Sequence, residues 1–147
     1  MTDEERLAQA VQTVIDETVD LPAISPAWVA TAVMQTIEFP RHLHHLGYAG
    51  CHLELRQMAR AKLRRQFDPT ISDDDDEEAD LFPDTLQDRY PRRPKRGRQP
   101  EYVLRERMTQ ADVAYNVERM RRAGSALLRH ADALEEWGAT HLGEGAA

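Results

Sequence analysis

The sequence predicts a mainly α-helical protein with a three-helix N-terminal unit, a short basic β-hairpin and a long C-terminal helix. Three observations lead to this fold class. Apolar residues recur at helical spacing in three segments of the N-terminal half. Two short runs of strand-forming residues then flank a proline-rich basic stretch. A heptad-like apolar pattern follows and continues close to the end of the sequence.

Each of the first two helices begins at a recognisable cap. The segment Thr2–Glu5 has the pattern of a capping box, and apolar residues behind it predict an amphipathic helix over 3–19. Ser25 followed by Pro26 is a typical N-cap with proline in the first turn. The apolar stripe that follows predicts a second helix over 26–38.

The third helix, predicted over 49–67, has one apolar side and one cationic side. Residues four positions apart lie on the same side of a helix. Arg56, Arg60 and Arg64 have this spacing, so we expect them to line one exposed face. Asp68 followed by Pro69 then ends the helix.

Charge is distributed in blocks along the chain, although the net charge is only −7. Residues 41–67 carry six basic residues against one acid, and residues 85–107 carry eight against three. The segment between them, 68–84, has nine acids and no base. Such dense like charge repels itself, so we expect residues 70–84 to form a flexible acidic segment.

A basic hairpin is predicted after the acidic segment. Residues 86–90 and 102–107 have the composition of short strands, and the prolines between them exclude regular structure. The chain therefore divides into a helical domain (1–69), the acidic segment (70–84), the hairpin (85–108) and a C-terminal helix with its tail (109–147). We expect these parts to form one compact domain.

The C-terminal helix is predicted over 110–137, with apolar residues at alternating spacings of four and three. This seam suits a homodimer or docking on a partner helix. Arg119, Arg121 and Arg122 on its flanks can extend a basic surface. The seam residues are Val113, Val117, Met120, Leu127 and Leu134.

The order of three helices and a hairpin is that of a winged helix-turn-helix domain. In such a domain the third helix enters the major groove and the hairpin tip lies along the phosphates or in the minor groove. The residues predicted to contact phosphates are Arg56, Arg60, Arg64, Arg92, Arg93, Lys95, Arg96 and Arg98. We therefore expect a non-enzymatic nucleic-acid-binding protein with a regulatory or accessory role. The alternative is a protein-binding inhibitor or adaptor that uses the acidic segment or the C-terminal helix.

Other function classes find little support in the sequence. It contains no glycine-rich phosphate loop and no nucleophile–base pattern, so we expect no enzyme and no cofactor. Five potential zinc ligands lie close together, but their spacing matches no zinc-finger pattern, and we expect no metal site. These ligands are His42, His44, His45, Cys51 and His52.

The cellular setting is predicted from three absences. The sequence has a single cysteine, Cys51, and therefore no disulfide framework. It has no apolar run near 18 residues and no secretory signal pattern at its acidic N-terminus. We expect a cytoplasmic protein that does not enter a membrane.

Two stretches of the sequence resemble small uncharacterised proteins of bacterial phages and prophages. They are residues 51–60, CHLELRQMAR, and the helix that includes YNVER at 115–119 and LRHADAL at 128–134. The resemblance covers about half of the chain and includes no catalytic or ligand motif. It implies a mobile-element setting, in which small proteins commonly regulate DNA transactions or inhibit host defence.

Overall fold

The structure is a computed structural model that describes residues 2–37, 47–71, 86–124 and 127–142. These residues form a mainly α-helical fold with a small antiparallel sheet, which confirms the predicted fold class at this level. The helices are α1 (Asp3–Glu17), α2 (Pro26–Thr36), α3 (Gly47–Phe67), α4 (Gln110–Ala123) and α5 (Leu128–His141). The strands are β1 (Ala23–Ile24), β2 (Arg89–Pro91) and β3 (Tyr102–Leu104).

The helix starts follow local sequence chemistry. Thr2 Oγ1 accepts a hydrogen bond from the backbone N–H of Glu5 at 3.1 Å, and the Glu5 carboxylate accepts one from Thr2 N–H at 2.7 Å. This is the predicted capping box. Ser25 Oγ caps α2 by accepting from Trp28 N–H at 3.2 Å. α3 begins two residues earlier than predicted, at Gly47, whose φ of 66° suits a residue without a side chain.

The sheet has the strand order β1-β3-β2, and both pairs are antiparallel. The predicted hairpin is present, but its strands are shorter than expected because a 3-10 turn at Arg105–Arg107 follows β3 directly. The prediction missed β1, which is only two residues long and pairs through Ala23 and Ile24 with Val103 and Tyr102. A two-residue strand carries no detectable alternation of polar and apolar residues.

Two apolar clusters lie on the two faces of the sheet. Neighbouring residues of a strand point to opposite faces. Tyr102 of β3 accordingly packs with α1, α2 and α3, while Val103 packs with Tyr90, α4 and α5. The sheet therefore joins the N-terminal helices to the C-terminal helices.

Arg89 fastens the end of α1 to the sheet. Its side chain is buried, and its guanidinium donates to the carbonyl oxygens of Thr18, Leu21 and Tyr102. Burial lowers the pKa of Arg89. The first two carbonyls follow the C-terminus of α1, where the helix dipole favours a cation.

The prediction of a single long C-terminal helix over 110–137 is wrong. The helix α4 ends before Gly124, whose φ is 140°, and α5 packs against α4. The approach is close near Gly138, where an added Cβ would lie 3.1 Å from Val113 Cγ1. Val113 is near the start of α4 and Gly138 near the end of α5, so the two helices run antiparallel.

The residues of the predicted dimer seam therefore pack against other residues of the same chain. Four of its residues are buried in the second apolar cluster, and Leu127 is partly buried against it. A homodimer stays a prediction, but an interface through these residues would require α4 and α5 to separate. The buried four are Val113, Val117, Met120 and Leu134.

Residues 72–84 of the predicted acidic segment, and residue 85 after them, lie outside the described residues. Among the helices that are described, none combines the length and the apolar character needed to cross a bilayer.

Candidate nucleic-acid interface

The arginines of α3 lie beside its buried side. Leu55, Ala59 and Leu63 are fully buried and fix the rotation of the helix. This leaves Arg60 and Arg64 exposed and Arg56 half-buried. Within the described part of the chain, none of these arginines forms an ion pair. Arg60 and Arg64 thus lie on an exposed face as their spacing predicts, and Arg56 lies at its edge.

The hairpin tip carries a second set of cations. Arg98 N–H donates to Lys95 O at 3.0 Å, which closes a tight turn, and Gly97 has the positive φ of 75° that this turn requires. Lys95, Arg96 and Arg98 are exposed, and no described carboxylate pairs with them. Their charge is available to an anionic ligand.

Arg92 differs from the other cations of the tip. Its guanidinium lies 3.2 Å from the Asp112 carboxylate and 3.4 Å from that of Glu101. Partial burial alone would lower the pKa of Arg92, but hydrogen bonds and attraction from Asp112 and Glu101 raise it. Arg92, predicted to contact phosphate, thus has its charge largely neutralised within the protein.

Arg119 of α4 connects the end of α3 to the hairpin. It donates to Asp68 Oδ2 at 2.9 Å, and Asp68 directly follows the last residue of α3. The guanidinium carbons of Arg119 and Arg93 lie 5.3 and 5.9 Å from the centre of the Tyr115 ring. Both distances suit cation–π attraction. The two basic blocks therefore meet at α4.

The electrostatics around Tyr102 support the same arrangement. Burial and the nearby Asp68 carboxylate raise the pKa of Tyr102 to about 12, while Arg64, Arg60 and Arg119 oppose the shift. Arginines from α3 and α4 thus converge on one phenol. Burial would also raise the pKa of Asp68, but hydrogen bonds from Arg119 and Thr70 lower it.

The C-terminal arginines divide into two groups. Arg119 pairs with Asp68 and is partly exposed, so its contribution to a basic surface stays a prediction. Arg121 instead lies 3.2 Å from the carboxylates of Asp132 and Glu135, and Arg122 pairs with Glu118. The long-range contacts of Arg119 and the role of Tyr115 were not predicted, because no sequence pattern links them to residues about 20–50 positions away.

The predicted cluster of metal-ligating residues falls mostly outside the described residues, since His42, His44 and His45 are not described. Of the other two, Cys51 is buried in α3. His52 shares a hydrogen bond of 3.1 Å with Thr31 Oγ1 and stacks on Tyr48. Among described residues, no group of three or more histidine, cysteine or acidic side chains could hold a metal ion.

His130 occupies a buried position away from this surface. Tyr90 Oη accepts from Gln87 N–H at 3.0 Å and lies 2.7 Å from His130 Nε2. Tyr90 Oη and His130 Nε2 thus share a buried hydrogen bond. Burial lowers the pKa of His130, so the neutral ring fits this contact. This is a packing role.

Comparisons with known proteins assign no family to the chain. Searches of protein-family models, of curated proteins and of solved structures find no significant match.

Proposed function

We propose that this protein is a non-enzymatic nucleic-acid-binding protein with a regulatory or accessory role. The observation that carries the proposal is the meeting of two cationic segments that lie far apart in sequence. Arg119 of α4 pairs with Asp68, which directly follows α3 and lies one helical turn after Arg64. Arg93 of the hairpin and Arg119 share the ring of Tyr115. A surface of this kind is the electrostatic pattern expected for binding to phosphates.

The order of elements supports a winged helix-turn-helix arrangement. The chain runs α1-β1-α2-α3-β2-β3, and the strand between the first two helices pairs with the last strand of the hairpin. In that arrangement α3 is the recognition helix and the hairpin is the wing. One feature departs from it: residues 37–46, which connect α2 and α3, exceed the three or four residues of a tight helix-turn-helix.

The exposed lysine and arginine side chains determine how the affinity of the proposed complex should depend on salt concentration. Each phosphate neutralised by lysine or arginine releases counterions, so affinity falls steeply as salt rises. Arginine also donates two parallel hydrogen bonds to a phosphate. Arg92 is left out of the proposed contacts because two carboxylates pair with it, those of Asp112 and Glu101, whereas Arg119 pairs with one. The proposed contacts are Arg56, Arg60, Arg64, Arg93, Lys95, Arg96, Arg98 and Arg119.

The competing function is a protein-binding inhibitor or adaptor, such as a phage anti-defence factor. It would act through the acidic segment or the C-terminal helices. Deleting residues 73–78 separates the two functions. The deletion should abolish partner binding if the alternative acts through the acidic segment. Under our proposal it should strengthen DNA binding if these six acids screen the basic blocks.

The direct test is fluorescence anisotropy of a labelled random DNA duplex at about 50 and 200 mM salt, a range over which six to ten phosphate contacts lose about 10³-fold or more in affinity. The triple variant R56Q/R60Q/R64Q should bind weakly and with a shallower salt dependence. The matched control R6Q/R107Q/R129Q removes the same charge from exposed arginines on other elements. Loss of binding in both variants, or no binding by the wild type at low salt, would refute the proposal for duplex DNA.

A further inference from the structure

The exposed face of α3 carries uncharged side chains among its arginines, and we propose that this face contacts base edges in the major groove of duplex DNA. The inference rests on the proposed function and deepens it. It names duplex DNA of defined sequence as the ligand, and Leu53 and Gln57 as specificity-determining residues. Arg56 and Arg60 complete the set.

The four residues form a compact patch. Their spacing of three, four and seven positions from Leu53 places them within an arc of about 100° on the helix surface. From Leu53 to Arg60 the patch is about 10 Å long at 1.5 Å per residue. That length matches about three base pairs at 3.4 Å each. The patch has the size needed to contact successive base edges.

The polar groups of the patch are free to bind a ligand. Within the described residues, Gln57 has no hydrogen-bond partner, and Arg56 and Arg60 form no ion pair. Gln57 is exposed and offers both an amide donor and an acceptor. Leu53 is 43% exposed between these polar groups. A surface that only neutralised phosphates would gain nothing from leucine at this position.

The chemistry of each side chain matches a particular base edge. Arginine donates two hydrogen bonds to O6 and N7 of guanine, and glutamine pairs with N6 and N7 of adenine. An apolar side chain contacts the methyl group of thymine. We therefore infer a preferred site that contains guanine, adenine and thymine within about three consecutive base pairs. Arg64 and the cations of the hairpin tip are still proposed to contact phosphates.

Glu54 limits which side of α3 faces the DNA. It is exposed and lies about 60° around the helix beyond Gln57, where its charge would repel phosphates. Arg56 lies at the opposite edge, about 100° around the helix from Gln57. The patch thus has a cationic edge and an acidic edge, which fixes its orientation on the duplex.

The test is selection from a pool of random duplexes with the full chain, followed by anisotropy on the selected site. The wild type should enrich a short motif. Q57A should lose about tenfold of the preference for adenine at one position, since a bidentate contact provides about that discrimination. L53A should lose the preference at a thymine. Both variants should lose more affinity for the selected site than for random duplex.

Two further variants make the result decisive. Q57E should change the preference at the same position from adenine to cytosine, because a carboxylate accepts from N4 of cytosine. The control Q9A, an exposed glutamine of α1, should leave the motif unchanged. Enrichment of no motif, with random duplex still bound, would overturn the inference and leave the proposed function standing. Absence of any duplex binding would overturn both.

Discussion

The Arg119 guanidinium lies 2.9 Å from the Asp68 carboxylate, and this pair ties the end of α3 to the middle of α4. The Asp68 side chain is almost fully buried, whereas that of Arg119 remains partly exposed. Arg119 is thus held in place from one side and open to a ligand from the other. The pair therefore contributes to the stability of the fold and also positions one cation of the proposed interface.

Substitutions at this pair should separate stability from binding. D68N and R119Q should each lower the free energy of unfolding by about 1–3 kcal/mol, because a charged hydrogen bond is lost. Only R119Q should weaken DNA binding, since D68N removes a negative charge from the surface and should leave affinity equal or higher. Urea denaturation and duplex anisotropy measure the two effects. Equal weakening of binding by both variants would contradict this assignment.

Arg92 and Arg96 should differ although both belong to the hairpin tip. R92Q breaks the contacts with Asp112 and should lower the free energy of unfolding by about 1–3 kcal/mol. R96Q alters an exposed side chain and should change stability by no more than about 0.5 kcal/mol. R96Q should nevertheless weaken DNA binding more than R92Q does. The same two measurements apply, and the reverse ranking for DNA binding would place Arg92 among the phosphate contacts.

The sign of the stability change caused by G124A should show whether the helix ends at Gly124. In one continuous helix, G124A would raise stability by up to about 1 kcal/mol, because alanine is the better helix former. At the observed φ of 140°, however, a side chain is strained, and G124A should lower the free energy of unfolding by about 1–3 kcal/mol. Chemical denaturation distinguishes the two. Stabilisation by G124A would indicate that α4 and α5 join into a single helix.

The heptad pattern around Gly124 explains why the C-terminal helix was predicted as continuous. An apolar residue at every third or fourth position identifies a buried helical side, but it does not say what covers that side. Val113 and Leu134 have this pattern because α4 and α5 cover each other. The break itself depends on the backbone at Gly124, and glycine is also tolerated within helices at a cost of about 1 kcal/mol.

The candidate interface was predicted at the level of residue type and local spacing. Arg60 and Arg64 are exposed as their spacing on α3 indicates. The sequence does not distinguish Arg92 from Arg98. They differ because Arg92 contacts Asp112, which belongs to another element of the fold. Leu53 and Gln57 were not predicted, because a single exposed leucine or glutamine has no sequence pattern that distinguishes it from other surface residues.

His130 should make stability depend on pH. Its pKa is lowered by burial in the folded protein, while the unfolded chain has the ordinary value of about 6.5. The unfolded state therefore binds a proton below about pH 6.5 before the folded state does, so stability falls as the pH decreases from there. H130Q should be less stable at pH 7.5, since Tyr90 loses its imidazole hydrogen-bond partner, but it should show a flatter pH dependence. H141Q, at an exposed histidine, should keep the wild-type dependence. Urea denaturation from pH 7.5 to 5 measures all three proteins, and equal slopes for wild type and H130Q would exclude His130 as the source.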